Sequence, residues 1–316
     1  MNDSTSIAVA VDDRTRWPAI VVGMSFAIGA AAVFLLLVGT ATGQRLDRAM
    51  FQGAKSAQQG VALPEVLRLD IMTNPLLWII VAAAILLTGI VIRRTLAALA
   101  ALAVPVVCIV AARTLRRGVL TRPQLDQDVP WPMANTFPSG HVAGAMGIAL
   151  ALLLIAPLWL RLVGVVPCAV WVTLVSRDIM GEGWHRLSDV SGSVLLAAAI
   201  VSLVAAMVAV GGRRLGGVAL VVTLVGGPMA TVMIALVLDP RPFSMLTGVL
   251  AVGVSVPMVV FVCVISRSAA AVLVIDPCGR RSTQSARFRL SSTEQQRAMR
   301  STTVKSDLQE CRTRTQ

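Results

Sequence analysis

Apolar residues in this chain do not alternate with polar ones. They run together in eight blocks separated by short polar breaks: Trp17–Thr40, Ile71–Ile92, Thr95–Ala112, Val142–Leu160, Leu162–Val175, Val190–Val210, Gly216–Leu238 and Phe243–Ile265. About 20 apolar residues carry an α-helix across the hydrocarbon core of a bilayer, and ~17 is the lower limit. A segment in lipid must also satisfy its own backbone polar groups, which for runs of this length means helix. The pattern therefore predicts an all-α, polytopic membrane helix bundle of about eight transmembrane helices. The fifth block is short. It counts as a span because its flanks are apolar, and because without it the two polar motifs described below would emerge on opposite faces.

Composition agrees with this class. The chain is 56% hydrophobic and 14% charged, and its mean hydropathy of +0.79 is too high for a soluble domain of 316 residues. The net charge is +12, and only Lys55 and Lys305 are lysines. The arginines lie in short loops and a tail, where they set topology or meet anionic membrane lipid, so no nucleic-acid partner is expected. With the N-terminus in the cytoplasm, 17 of the 28 basic residues fall inside, among them Arg14, Arg16, Arg93, Arg94, Arg161, Arg213 and Arg214. That bias orients the chain as a multi-pass plasma-membrane protein with both motifs on the extracytoplasmic side. Cys108, Cys168 and Cys263 lie in apolar runs and Cys278 and Cys311 in the tail, with no metal-ligand spacing and no disulfide framework. The first block is long enough to span and stay, so it reads as a retained helix and not a cleaved leader. The expected organisation is a cytoplasmic N-terminus (1–16), a six-helix core (17–212), two additional helices (213–275) and a disordered basic tail (276–316). The outer stretch Ala41–Asp70 reads as a polar, Gln-rich loop without a chemical signature. Nothing in the sequence sets an oligomeric state.

The candidate chemistry centres on the chain's two histidines. His141 closes Pro138-Ser139-Gly140-His141 at the start of the fourth block, and His185 stands four residues before Asp189 at the start of the sixth. Arg113, Arg116, Arg117 and Arg122 precede the first motif, and Ser176-Arg177 precedes the second. Imidazole can attack, or give and take a proton, near neutral pH. Guanidinium forks bind phosphate bidentately, and a glycine at a helix N-terminus lets an anion approach the backbone. Asp189, one helical turn beyond His185, falls on the same face and suits an orienting role. Taken singly, each piece has a plainer reading. Arg122 and Arg177 suit snorkelling interface residues, His185 and Asp189 suit a capping pair, and Asp126, Asp128 and Glu182 suit solvated loop charges.

Together these residues resemble the type-2 phosphatidic acid phosphatase family, the membrane branch of the superfamily that also holds bacterial acid phosphatases and vanadium haloperoxidases. The residues that carry the resemblance are Arg122-Pro123, Pro138-Ser139-Gly140-His141, Ser176-Arg177 and His185 with Asp189, over about Thr95 to Val210. Gly183-Trp184-His185-Arg186 is similar to actinobacterial members. Two positions depart from the family pattern. Leu115 stands where the pattern has lysine, one residue before Arg116, and seven residues instead of five separate Arg177 from His185. The resemblance implies a metal-independent phosphoric-ester hydrolase without a cofactor. His185 would attack phosphorus to form a phosphohistidine, Asp189 would orient it, and His141 would protonate the leaving group. Ser139, Gly140, Arg122, Arg177 and Arg116 would hold the phosphate. The substrate implied is a lipid phosphate or diphosphate, prenyl or glycerolipid. A lipid phosphotransferase on the same scaffold is the alternative enzyme, and an anionic-lipid binder or transporter the alternative outside catalysis.

The predicted topology is open to labelling. In a cysteine-free background, single cysteines at Gln124 and Gly183 are expected to react with an impermeant maleimide in intact cells, and cysteines at Arg94 and Arg214 are not. Labelling of Gln124 without Gly183 would separate the two motifs across the membrane.

Overall fold

Each of the eight apolar blocks forms helix within its described residues. The computed structural model describes residues 13–58, 71–72, 74–125, 134–208, 217–239 and 241–267. Helix α1 (Asp13–Val33) runs into a π turn at Phe34–Val38, and α2 (Ala41–Gln58) follows. Next come α3 (Pro75–Val91) and α4 (Thr95–Thr114), which ends in a π turn at Leu115–Val119. The central helices are α5 (Gly140–Ile155), α6 (Leu158–Gly181) and α7 (Leu187–Val208). A short α8 (Gly217–Val221) joins α9 (Gly227–Leu238) through a π turn, and α10 (Ser244–Arg267) is the last. No strand occurs among the described residues. Among the described residues, six helices are long and apolar enough to cross a membrane, and α3 and α5 are shorter apolar helices. The protein is an all-helical, multi-pass membrane protein. The stretch before Asp13, Asp126, Asp128, Arg213, Arg214 and the tail from 276 onward lie outside the described residues.

Several boundaries differ from expectation, among them the end of the fifth block, which runs to Gly181 and takes Ser176-Arg177 into the helix, and two differences call for correction. The fourth block ends at Ile155, not Leu160, and α6 begins at Leu158. The cause is Pro157, because the residue before a proline is pushed out of the helical region, and Ala156 is extended at ψ 146. The short fifth block thereby becomes a helix of 24 residues. Arg161, expected in an inner loop, is buried within α6 and donates from Nη2 to the Leu154 carbonyl at 2.9 Å. A cation at the C-terminal end of α5 suits the carbonyls left over there. The second correction concerns the outer loop, because residues 41–58 are α2. Its buried stripe is Gly43, Gln44, Asp47, Met50, Ala54 and Ala57, at helical spacing.

The bundle is built around α5, which is buried along nearly its whole length. Small residues let its neighbours approach, as in membrane helix pairs generally. A Cβ at Gly147 would stand 3.0 Å from Cα of Pro105 on α4, and one at Gly192 on α7 would stand 2.3 Å from the Phe137 ring. Phe137 immediately precedes the Pro138-Ser139-Gly140-His141 motif, so the gap at Gly192 helps to seat it. Helices α9 and α10 pack on α6, and α10 also packs on α7. The two additional helices are thus part of the same bundle.

Close packing predicts opposite signs for two equivalent substitutions. Gly147→Ala meets α4 backbone and is expected to lower unfolding stability in detergent by about 1 kcal/mol or more. Gly248→Ala, in α10 with open space around it, is expected to raise stability by about 0.5–1 kcal/mol through helix propensity. Thermal unfolding of the two variants beside the wild type measures both.

Candidate active site

The N-terminal ends of α5 and α7 meet at one end of the bundle. Ser139 is the N-cap of α5, and its side chain accepts from the Val142 amide at 3.4 Å. Its own amide donates to the Asp189 carbonyl at 3.4 Å, which ties the first motif to the second. Asn135 fixes the approach. Its Nδ2 donates to the carbonyls of Arg116 at 3.1 Å and Leu120 at 2.7 Å, while its Oδ1 accepts from the Phe137 amide. On the other side, α6 ends at Gly181, and the chain turns through Gly183, whose φ of +77° is the left-handed conformation glycine adopts most readily. Trp184 and His185 follow this turn.

His185 and Asp189 are paired as their spacing predicts. Nδ1 of His185 lies 3.3 Å from Oδ2 of Asp189, and both residues are buried. The same carboxylate oxygen accepts from Thr136 Oγ1 at 2.6 Å and from the Arg186 amide at 2.9 Å. A carboxylate facing Nδ1 holds the proton there and leaves the Nε2 lone pair of His185 available. The ring of His141 is 6.3 Å from that of His185, centroid to centroid. Trp184 is 56% exposed and sets its ring against His141 at 5.8 Å.

Cations gather around the histidines, but they are not all the ones expected. The charges of Arg113 and Arg116 both act on His141. Arg113 lies nearest Gly140, because a Cβ there would meet its Cγ at 3.8 Å and its Nε at 3.9 Å. Arg122 is held by a carboxylate, with Nη2 donating to Asp47 Oδ2 at 3.1 Å, and its buried Nη1 has no hydrogen-bond partner among the described residues. Arg186 lies over the Phe51 ring at 5.9 Å. Burial first, and then the Arg122 charge, lower its pKa, while Asp189 and Asp47 act the other way.

Sequence reasoning missed Asp47. It is fully buried, and it accepts from the Ser188 amide at 2.8 Å, from Ser188 Oγ at 2.6 Å and from Arg122. Burial, and then the neighbouring Asp189 charge, push its carboxyl above the ordinary range, and the bonds from Ser188 and Arg122 pull it back. Three residues earlier, Gln44 bonds the Pro123 carbonyl at 2.6 Å and the Leu125 amide at 3.2 Å. The available signal was a carboxylate and an amide three residues apart on the same face as Gly43, Met50, Ala54 and Ala57.

The Ser176-Arg177 pair makes its contacts elsewhere. The buried Arg177 guanidinium donates to the carbonyls of Ala54 at 3.3 Å and Pro242 at 3.2 Å and lies 3.8 Å from Asp239. Asp239 also holds Arg241, at 2.6 Å, and Arg241 reaches Gln58 at 3.1 Å and Asp178 at 3.5 Å. The contacts of Arg177 thus join α6 to α2 and to the α9–α10 connection, and none of them is to a histidine. Ser176 Oγ is buried without a hydrogen-bond partner among the described residues.

Residues 119–213 match the family model described as PAP2 superfamily. The match includes Arg122, the Ser139-Gly140-His141 run, Arg177, His185 and Asp189, and it excludes Asp47, Arg113, Arg116 and α9–α10. No curated protein and no solved structure matches the chain.

Removing the Arg177 guanidinium takes the donor from the Ala54 and Pro242 carbonyls and one of two neighbouring cations from Asp239. Arg177→Ala is therefore expected to lower the thermal midpoint in detergent by several degrees, and Arg177→Lys by less. Unfolding followed by intrinsic tryptophan fluorescence reads the difference.

Proposed function

We propose that this membrane protein, which carries a PAP2-type phosphatase segment over residues 119–213, removes phosphate from a lipid phosphate or diphosphate at the extracytoplasmic face of the plasma membrane. The observation that carries the reading is a buried His185–Asp189 pair at 3.3 Å, with a second histidine 6.3 Å away, at the arginine-rich end of an apolar bundle. Nε2 of His185 attacks phosphorus, and the bond from phosphorus to the leaving oxygen breaks. His141 supplies the proton to that oxygen. Water then attacks the phosphohistidine, His141 takes its proton, and the N–P bond breaks to release phosphate. Asp189 holds the His185 ring and balances the imidazolium charge. Arg113, Arg116 and Arg122, with Ser139 and the Gly140 amide, stabilise the charge that develops on the phosphoryl oxygens.

The lipid class follows from placement. A site among helices that face lipid receives substrate laterally, so a phosphate on a long apolar tail reaches it and a sugar phosphate gains nothing from the bilayer. Guanidinium groups supply the positive charge, so the proposed chemistry runs without a divalent ion. The test is phosphate release by detergent-purified protein from undecaprenyl diphosphate, phosphatidic acid and glucose 6-phosphate, in EDTA. Turnover is expected on the lipids and little on the sugar phosphate. His185→Ala is expected to abolish turnover and the acid-labile phosphoenzyme trapped by quenching with labelled substrate. Full activity in His185→Ala would refute the nucleophile, and loss of activity in EDTA would refute the metal-free mechanism.

A further inference from the structure

We infer that Asp47 is a positioning residue for the phosphate site, fixing Arg122 relative to the His185–Asp189 pair. The inference rests on the reaction proposed above. Its grounds are geometric. One carboxylate bonds three donors from two distant parts of the chain: Arg122 Nη2 at 3.1 Å, the Ser188 amide at 2.8 Å and Ser188 Oγ at 2.6 Å. Ser188 directly precedes Asp189, whose Oδ2 faces His185. An unbroken line therefore runs from Arg122 through Asp47 and Ser188 to Asp189 and His185. Gln44 holds the other side of the same loop at Pro123 and Leu125. Both anchors stand on α2, outside the residues 119–213 that match the family.

An arginine on the connection between α4 and α5 has many rotamers and a costly entropy of ordering. A carboxylate that fixes one nitrogen of the guanidinium fork lowers that cost and sets the plane in which the rest of the group meets phosphate. The Ser188 bonds do the same for α7, satisfying an amide of its first turn. A buried carboxylate beside Asp189 is a poor choice for simple adhesion, since apolar residues of similar volume often hold helices together as well or better. What a carboxylate adds is direction, because it can bond a cation and a helix end at once. Asp47 touches no substrate in this arrangement and acts through Arg122 and α7.

The experiment uses the full chain in detergent and two readouts. First, kcat/KM on phosphatidic acid is measured for Asp47→Asn, Arg122→Ala and the double variant. Asp47→Asn is expected to lose at least tenfold, and to lose little more in the Arg122→Ala background, because it acts through that residue. Independent losses that multiply in the double variant would overturn the proposal and leave Asp47 a brace of the fold. Second, the chain holds two histidines, so selective 15N labelling resolves both rings. Asp47→Asn and Ser188→Ala are expected to move the His185 ring signals more than those of His141. Unmoved His185 signals in a folded variant would also overturn it. If wild-type protein turns over no lipid phosphate, the proposed reaction fails and the ring signals alone decide the positioning role. If Asp47→Asn does not fold, Ser188→Ala with Arg122→Lys gives the same two readouts.

Discussion

Asp189 is the point at which the site is assembled. It is fully buried, and its groups are bonded from three directions: Thr136 from the segment before α5, His185 and the Arg186 amide from the turn before α7, and Ser139 to its backbone carbonyl. An ionised carboxylate without donors in such a place would cost several kcal/mol. Each donor therefore has to arrive, and the two motifs are brought together because both must reach the same residue. The chemistry follows from that requirement. A carboxylate that must be solvated by protein becomes the group that fixes which nitrogen of His185 carries the proton.

The same economy explains the charge pattern around it. Four arginines, Arg113, Arg116, Arg122 and Arg186, lie in reach of two buried carboxylates, Asp47 and Asp189, and two histidines. Asp47, Asp189, His185 and Arg186 are buried at this end of the bundle, so their charges interact more strongly than they would on an open surface. The carboxylates neutralise part of the positive charge and leave the balance positive. Such a site favours an anion with several acceptor oxygens, which is why a phosphoryl group suits it better than a metal ion.

Much of this was legible in the sequence, for physical reasons. Lipid forces every span to close its own hydrogen bonds, so continuous apolar runs translate directly into helices. The four-residue spacing of His185 and Asp189 anticipates their pairing, although His185 stands in the turn before α7 and reaches the carboxylate from outside the helix. The misreadings have equally definite causes. Pro157 moved the α5–α6 boundary through a local steric effect that average hydropathy conceals. The π turn at Leu115–Val119 shifts the facing of residues at the end of α4, and Arg113, two residues before the motif position Leu115, is the arginine nearest Gly140. Residues 41–58 look like a loop because the buried side of α2 is made of Gly, Ala, Gln and Asp with a single Met. Those residues lower its hydropathy without marking it as a core helix. Arg177 carries its motif in sequence, but its described partners, Ala54, Pro242 and Asp239, come from segments that no local spacing reveals.

The segment that matches the family therefore does not build the site alone. Helix α2 is gripped at both ends. Gln44 and Asp47 hold it to the Arg122 loop and to α7, while Ala54 and Gln58 tie it to Arg177 and Arg241. Between them, Gly53 gives room to Phe243, whose φ of 71° places it in a backbone region costly for a bulky side chain. The residue before it is held by Arg177, which donates to the Pro242 carbonyl. The two additional helices thereby acquire a role in the same mechanical chain. They anchor the far end of α2, and α2 in turn frames Arg122 and the first turn of α7. Arg177 fits this account as well, because its bond to the α2 backbone at Ala54 helps to hold the same frame.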